Sequence, residues 1–295
     1  MSLAAQTPDQ ADVAYAKLGT RELRLDLYLP AKPNGANAPD GVGSAAPLII
    51  WVHGGAWRAG SKANVPVKHL LKHGFAIASV DYRLSGEARF PAQAFDLKAA
   101  IRFLRANAKR LGVDPNQFVI AGASAGGHLA ALIGASNKSQ RLEGMVGEHL
   151  ETSSSVQAIV SFYGASNLET ILAQSTPHGL SVRVPALELL LGGQPKAQPA
   201  LANLASPLTH VGPDDPALWL IHGDADPQMP FAQSVELMKA YRTQKLPVRL
   251  DVVSGGQHGG SEFYTTERLD RLAKQLQEQL AKTADRQTNR TTPGN

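Results

Sequence analysis

The sequence predicts an α/β protein in which a mostly parallel sheet of eight strands carries helices on both faces. Two segments near the N-terminus, 13–17 and 23–29, alternate apolar and polar residues, which is typical of antiparallel strands with one solvent-exposed face. Six short and largely apolar runs follow between residues 48 and 253, and helical patterns fill the gaps between them. Apolar strands separated by helices indicate a parallel sheet that is covered on both faces.

The individual elements can be assigned from the same patterns. The six apolar strands are predicted at 48–52, 75–80, 118–120, 156–162, 218–221 and 248–253, and the last alternates more than the others. The helices are predicted at 94–111, 125–135, 231–245 and 261–282. The stretch 30–47 is rich in Gly, Pro, Ala and Asn and predicts a loop.

One stretch, 164–215, interrupts this alternation. It lacks a clear strand, carries several prolines and contains a short helical pattern at 185–191 that a glycine pair ends. We interpret it as a small cap insertion over the sheet that builds much of the substrate pocket. The chain is therefore predicted to form a single domain over 1–282, and the polar stretch 283–295 is predicted to be a disordered tail.

Composition excludes several classes of function. The 295 residues include no cysteine, which removes disulfides, thiolate metal sites and a cysteine nucleophile. The net charge of +4 is spread along the chain without a Lys/Arg-rich run, so we expect no nucleic-acid partner. The apolar run at 47–52 is too short to span a membrane. The nine histidines show no cluster with metal-ligand spacing, so we predict neither a metal site nor a cofactor.

A candidate nucleophile lies where a predicted strand meets a predicted helix. The apolar strand runs into Gly122-Ala123-Ser124-Ala125-Gly126, and a helix of small residues follows. A serine on such a sharp turn is exposed at the end of the sheet, and its neighbours two positions away must be nearly free of side chain. The helix that follows directs its positive end at the serine, where an oxyanion would develop. We therefore predict that Ser124 is the nucleophile.

A second glycine motif follows the first apolar strand. It reads His53-Gly54-Gly55-Ala56-Trp57. A loop in this position supplies backbone N–H groups to the reacting carbonyl, and glycines allow the chain to turn those groups inward. We assign the N–H groups of Gly55 and Ala56 as donors, together with the N–H of Ala125 beside the nucleophile. His53 is interpreted as an anchor of the loop.

The base and the acid are predicted to follow the last two strands. His258 stands in a glycine-rich loop after the strand at 248–253, and Asp224 and Asp226 follow the strand at 218–221. Histidine titrates near neutrality, so it can accept the serine proton and return it, while a carboxylate fixes its tautomer. Asp226 is favoured over Asp224 because it lies further out on the loop. The order serine, acid, histidine is the one expected for a nucleophile elbow.

At these motifs the chain resembles the hormone-sensitive-lipase-like carboxylesterases of the α/β-hydrolase fold, and most closely the branch named for Bacteroidetes feruloyl esterases (BD-FAE). The resemblance covers about residues 12–280 and implies the same triad of Ser124, Asp226 and His258. Ala56 replaces the third glycine that lipase-like members usually carry, and a backbone donor survives that change. Further matching stretches are Asp81-Tyr82-Arg83-Leu84, Phe90-Pro91-Ala92 to Asp96, Asp114-Pro115-Asn116 and His222 to Asp226.

The residues and the resemblance together predict a serine carboxylesterase that hydrolyses short-chain or aromatic esters, such as acetyl or feruloyl esters, through an acyl-enzyme. His-Gly-Gly-X-Trp is also the signature of kynurenine formamidases, so an N-formyl amide hydrolase is an alternative. A non-catalytic binding protein of the same fold is a second alternative. The expected partner is a small-molecule ester. Monomer and homodimer both stay open, as do secreted, periplasmic and cytoplasmic locations.

Three apolar residues are candidates for the walls of the substrate pocket. They are Trp57 in the glycine motif, and Leu187 and Leu191 in the predicted insertion. The same residues fit an ordinary hydrophobic core equally well, because burial and substrate contact both favour large apolar side chains.

Overall fold

Eight strands form one sheet in the computed structural model of the protein, which describes residues 6–31, 45–137 and 139–291. Most of the loop predicted at 30–47 lies outside the described residues. The strands are β1 (Gln10–Leu18), β2 (Arg21–Tyr28), β3 (Ala46–Val52), β4 (Ala76–Val80), β5 (Val113–Ala123), β6 (Ala158–Phe162), β7 (Ala217–Gly223) and β8 (Val248–Val253).

The order of the strands across the sheet is β1-β2-β4-β3-β5-β6-β7-β8. β2 runs antiparallel to both β1 and β4, and all the other neighbours are parallel. This arrangement confirms the predicted mixed sheet with two antiparallel strands at one edge. The carboxyl ends of the parallel strands therefore meet at one edge of the sheet, where ligand sites of open α/β sheets form.

Helices cover both faces of the sheet, as predicted. The helices are α1 (Ala92–Ala106), α2 (Ala108–Leu111), α3 (Ala125–Ala135), α4 (Gln140–Glu143), α5 (Ile171–Gln174), α6 (Pro177–Leu191), α7 (Pro199–Leu204), α8 (Phe231–Thr243) and α9 (Thr266–Thr291). Short 3₁₀ turns lie at Lys68–His73, Pro207–His210 and Ser261–Phe263. Within the described ranges, no helix is both long and apolar enough to cross a lipid bilayer.

The sheet separates two hydrophobic cores, and successive residues of its central strand β3 belong alternately to one core and to the other. Leu48, Ile50 and Val52 belong to the core that contains α1, α3 and α8. Ile49 and Trp51 belong to the other core, with α9 and the 3₁₀ turn at 68–73. A continuous apolar strand with successive side chains on opposite faces is what a sheet covered on both sides requires.

The insertion at 164–215 consists of α5, α6, α7 and one 3₁₀ turn. Its helix α6 begins at Pro177, eight residues earlier than the helix predicted at 185–191. Thr176 accepts a hydrogen bond from the Gly179 N–H at 3.0 Å, and proline is well suited to the first helical position. Pro185 therefore lies inside the helix and not at its start.

The C-terminal helix differs from its prediction at both ends. The chain makes a 3₁₀ turn at Ser261–Phe263, and α9 begins only at Thr266. The helix then continues to Thr291, through most of the stretch 283–295 for which we predicted a disordered tail, and 292–295 lie outside the described residues. Polarity alone does not end a helix, and the first glycine or proline after Thr266 is Pro293.

Candidate active site

Ser124 sits on a strained turn between β5 and α3. Its backbone angles are φ 54° and ψ −118°, and residues other than glycine rarely adopt a positive φ. A Cβ atom added to Gly122 would lie 2.3 Å from the Gly126 carbonyl oxygen, and one added to Gly126 would lie 2.0 Å from the Val52 carbonyl oxygen. The turn therefore needs both glycines, as the motif predicts.

Three side chains from segments far apart in the sequence, Ser124, His258 and Asp226, contact one another in a row. The Ser124 hydroxyl lies 2.8 Å from His258 Nε2. On the other side of the ring, His258 Nδ1 lies 2.7 Å from Asp226 Oδ2. A hydroxyl, an imidazole and a carboxylate in this order can pass a proton from the serine to the ring.

The Asp226 carboxylate is fixed by its own loop. Its Oδ1 accepts hydrogen bonds from the N–H groups of Gln228 and Met229, both at 2.8 Å. Burial opposes its ionisation, but the hydrogen bonds from His222 and His258 prevail and hold the pKa of Asp226 well below its usual range. The competing acid, Asp224, is exposed and instead accepts a hydrogen bond from the Gly255 N–H at 2.7 Å.

The His258 side chain is only 13% exposed and lies between the Asp226 carboxylate and an aromatic ring. The ring of Tyr163 packs edge-on against it, with 5.0 Å between the centroids. Burial lowers the pKa of His258 below its ordinary value, and the hydrogen bond to Asp226 only partly offsets this effect. The imidazole is therefore neutral near pH 7, which is the form that can accept a proton.

The glycine motif turns the chain toward Ser124. Gly55, Ala56 and Trp57 have φ values of 108°, 51° and 60°. Among the described residues, the N–H groups of Gly55 and Ala56 have no hydrogen-bond acceptor, while the Gly55 carbonyl accepts from the Arg58 N–H at 3.0 Å. Two free N–H groups beside a serine hydroxyl form the arrangement needed to bind an oxyanion.

A neighbouring histidine supports this loop from inside the protein. His53 is buried, its Nδ1 lies 2.8 Å from the Gly54 carbonyl oxygen, and its ring stacks on Tyr82 at 4.4 Å. Tyr82 in turn donates a hydrogen bond to the His53 carbonyl oxygen at 3.0 Å. These contacts agree with the interpretation of His53 as an anchor of the loop.

A cavity of about 690 Å³ opens onto Ser124 and His258. Gly55 and Ala56 line it, so the predicted nucleophile, the predicted base and both predicted loop donors face the same space. The larger side chains that line it are mostly aromatic or polar and include Trp51, Arg58, Asn64, Tyr163, Gln228 and Tyr264.

The predicted wall residues Trp57, Leu187 and Leu191 do not line this cavity, which corrects their assignment. All three are buried in the core, and the Trp57 indole N–H donates to His128 Nδ1 at 3.1 Å. The positive φ of Trp57 accompanies this inward placement, beneath α3. His128 also hydrogen-bonds the Ala205 carbonyl oxygen at 2.7 Å, and burial lowers its pKa to about 4. It is therefore a neutral core residue.

The insertion is also not a cap over this cavity. None of the residues 164–215 lines it, contrary to our expectation that this segment builds the pocket. The insertion instead packs against α3 through the 3₁₀ turn at 207–210, and the Phe90 N–H, just before α1, donates to the Leu190 carbonyl oxygen at 2.9 Å. Two hydrogen bonds link the insertion to the acid loop: the Arg183 guanidinium donates to the Gln228 carbonyl oxygen at 2.7 Å, and the Thr176 hydroxyl donates to the Pro227 carbonyl oxygen at 2.5 Å.

Sequence reasoning missed several residues of the cavity. Tyr163 directly follows β6 at the carboxyl edge of the sheet, so the rule that sites form at this edge could have identified it. The hydroxyl of Tyr163 lies 2.7 Å from that of Tyr264. Arg58, Gln228 and Tyr264 lie in loops, and no sequence pattern indicates which way their side chains point.

The strand order, the strained serine and the loop with free N–H groups define a protein of the α/β-hydrolase fold. The chain belongs to the BD-FAE family, whose profile matches residues 25–241. This result confirms the resemblance seen in the sequence.

Several bacterial esterases are similar to the chain. Mycobacterium tuberculosis LipM, named a probable carboxylic ester hydrolase, is 30% identical over 76% of this chain and 49% of its own length. Esterase LipQ of the same organism is 32% identical over 81% of this chain and 53% of its own length. The chain thus spans about half the length of these curated relatives.

Two solved structures of esterases share the fold over all or nearly all of their length. A truncated carbohydrate esterase from gut microbiota has a TM-score of 0.80 at 32% identity, covering 94% of this chain and 100% of the other. Thermogutta terrifontis esterase 2, phosphonylated by cyclosarin, has a TM-score of 0.71 at 26% identity, covering 92% of this chain and 95% of the other.

Proposed function

We propose that the protein is a serine carboxylic ester hydrolase that works through an acyl-enzyme. The single observation that carries this proposal is the row of contacts from Ser124 through His258 to Asp226, which opens onto a cavity beside two free N–H groups. The names of the relatives, which are esterases and carboxylic ester hydrolases, support the same reaction.

In the first step Ser124 Oγ attacks the ester carbonyl carbon while His258 Nε2 accepts the hydroxyl proton. The electron pair of the carbonyl moves onto its oxygen, which binds the N–H groups of Gly55 and Ala56, with the Ala125 N–H as a third donor. The ionised Asp226 holds a proton on Nδ1 of the ring, so the Nε2 lone pair faces the serine. The carbon–oxygen bond to the alcohol then breaks, and His258 returns the proton to the departing oxygen.

The second step repeats the first with water in place of serine. His258 accepts a proton from the water, whose oxygen attacks the acyl carbon. The bond between Ser124 and the acyl carbon breaks, and the proton returns to the serine oxygen. The products are a carboxylic acid and an alcohol, and no other reactant is consumed.

The shape of the cavity favours small or aromatic esters. A volume of about 690 Å³ is in the usual range for a small-molecule site. The rings of Trp51, Tyr163 and Tyr264 line it, which suits an aromatic acyl group or the apolar face of a sugar. The name carbohydrate esterase on a similar structure agrees with the second possibility.

A hydrolysis screen tests the proposal. The substrates are p-nitrophenyl esters of increasing chain length, methyl ferulate, acetylated xylan and N-formylkynurenine, each with wild-type protein and with Ser124→Ala. We expect turnover of the short or aromatic esters by the wild type and almost none by the variant, with the same unfolding temperature for both. Preferred cleavage of N-formylkynurenine would assign the formamidase reaction instead, and equal activity of the variant would exclude Ser124 as the nucleophile.

A further inference from the structure

Two histidines and an aspartate meet on the far side of the sheet from α3. His69 and His73 lie four residues apart on the 3₁₀ turn at 68–73, and Asp270 lies in the first turns of α9. The Nε2 atoms of His69 and His73 approach the same oxygen, Asp270 Oδ1, at 2.6 Å and 2.7 Å. The three potential ligand atoms lie within 4.8 Å of one another.

From these contacts we propose that His69, His73 and Asp270 form a binding site for a divalent transition-metal ion such as Zn²⁺. Two imidazole nitrogens and a carboxylate oxygen are a ligand set that zinc and its neighbours prefer. Mg²⁺ and Ca²⁺ prefer oxygen ligands, so they should bind poorly here. Three protein ligands leave one tetrahedral position for water.

The geometry needs little change to accept an ion. Ligands at about 2.0–2.2 Å from a tetrahedral ion lie roughly 3.4 Å from one another. The two Nε2–Oδ1 distances of 2.6 Å and 2.7 Å would each widen by less than 1 Å, and the distance between the two Nε2 atoms, which is within 4.8 Å, would shorten by at most about 1.4 Å. The side chains of His73 and Asp270 are 30% and 47% exposed, so an ion can enter from solvent. The side chain of His69 is only 13% exposed, so its surroundings hold this ligand in place.

The ion would join two segments that both reach the cavity. The 3₁₀ turn at 68–73 follows the cavity residues Asn64 and Pro66 along the chain, and α9 follows the cavity residues Ser261 and Tyr264. The ligands His69 and Asp270 are 201 positions apart in sequence. Bound metal would therefore stabilise the docking of α9 against the sheet without taking part in ester hydrolysis.

Thermal unfolding and calorimetry of untagged protein, first stripped with EDTA, test the site. At a 100-fold excess over its Kd, ZnCl₂ should raise the Tm by about 5 °C, and MgCl₂ should leave it unchanged. Calorimetry should give one Zn²⁺ per chain at this site. The variants His73→Gln and Asp270→Asn keep hydrogen-bonding groups but remove metal ligands, so each should lose the Tm rise. His178→Gln, at an exposed histidine in α6, is the matched control and should keep it.

Either of two results would overturn the proposal. One is wild-type protein that shows neither Zn²⁺ binding heat nor a Tm rise. The other is a Tm rise of wild-type size in both ligand variants, which would place the metal elsewhere, for example at His258. Because Co²⁺ can replace Zn²⁺ at such sites, its visible absorption in the wild type gives a further readout that does not depend on the variants folding. None of these readouts uses ester hydrolysis, so the metal site and the proposed function can fail separately.

Discussion

Replacing Gly126 with alanine tests whether the turn at Ser124 depends on close backbone contact. The added Cβ would lie 2.0 Å from the Val52 carbonyl oxygen and 2.6 Å from that of His53. Real Cβ atoms essentially never come closer than 3.0 Å to such an atom, so the start of α3 must move away from the end of β3 by about 1 Å. The atoms that resist are backbone, which no rotamer change can relieve.

The displacement has two measurable effects. Overpacking of this kind costs about 1–3 kcal/mol, and we expect the upper end, which lowers the Tm by about 5 °C. A shift of about 1 Å also separates Ser124 from the N–H groups of Gly55 and Ala56, and a misplacement of that size can cost about 100-fold in rate. We therefore expect kcat/KM for p-nitrophenyl acetate to fall at least about 100-fold in Gly126→Ala.

A second glycine provides a control that distinguishes the steric clash at Gly126 from the general effect of replacing a glycine with alanine. Gly86 is exposed, and a Cβ added there has no heavy atom within 4 Å. Gly86→Ala should keep both the wild-type activity and, within about 0.5 kcal/mol, the wild-type free energy of unfolding. If Gly126→Ala also stays within these limits, the close contact between α3 and β3 does not hold the nucleophile.

Three further predictions follow from the site. Asp226→Asn should keep the fold but lower kcat about 10⁴-fold, because the ring loses the partner that fixes its tautomer; a fall below tenfold in steady-state assays would contradict this role. On acidification, kcat/KM should fall to half of its maximum at a pH below 6.5, because burial lowers the pKa of His258 and only the neutral ring is a base. A midpoint above 6.5 would contradict the claim that burial dominates the pKa of His258. Trp57→Phe should lower the free energy of unfolding by about 1–3 kcal/mol, because His128 Nδ1 loses its buried donor, while KM changes less than threefold; a large KM change with wild-type stability would restore Trp57 as a pocket wall.

The placement of the candidate catalytic side chains was predictable because each follows a strand that the sequence marks clearly. Ser124, Asp226 and the loop of His258 lie beyond the carboxyl ends of β5, β7 and β8. In a parallel sheet these ends share one edge, so residues far apart in sequence are brought together by the topology alone. Even the choice of Asp226 over Asp224 follows from how far each lies along the loop.

The walls of the pocket were not predictable in the same way. Leu187 and Leu191 are apolar in a segment without strands, and both a cap and a core demand apolar side chains. Which of the two forms depends on whether α6 packs into the core, as it does here, or over the cavity, and that depends on tertiary contacts. Arg58 and Gln228 line the cavity because of loop backbone angles that composition does not fix.

The cluster of His69, His73 and Asp270 was not predicted, although its two histidines lie close together in the sequence. His69 and His73 are visible four positions apart in the sequence, but that spacing places two side chains on one face only if the segment is helical. The apolar runs on either side give no helical pattern long enough to predict the 3₁₀ turn. The third group, Asp270, joins them only when α9 docks against that face of the sheet.

The most direct test of the account is labelling with a fluorophosphonate, which reacts with a serine only when a neighbouring base activates it. Wild-type protein should incorporate one label, peptide mass spectrometry should locate it on Ser124, and His258→Ala should lose it at the same reagent concentration. A correctly folded wild-type protein that remains unlabelled, or one that carries the label on another serine, would contradict the claim that these three side chains form a working nucleophilic centre.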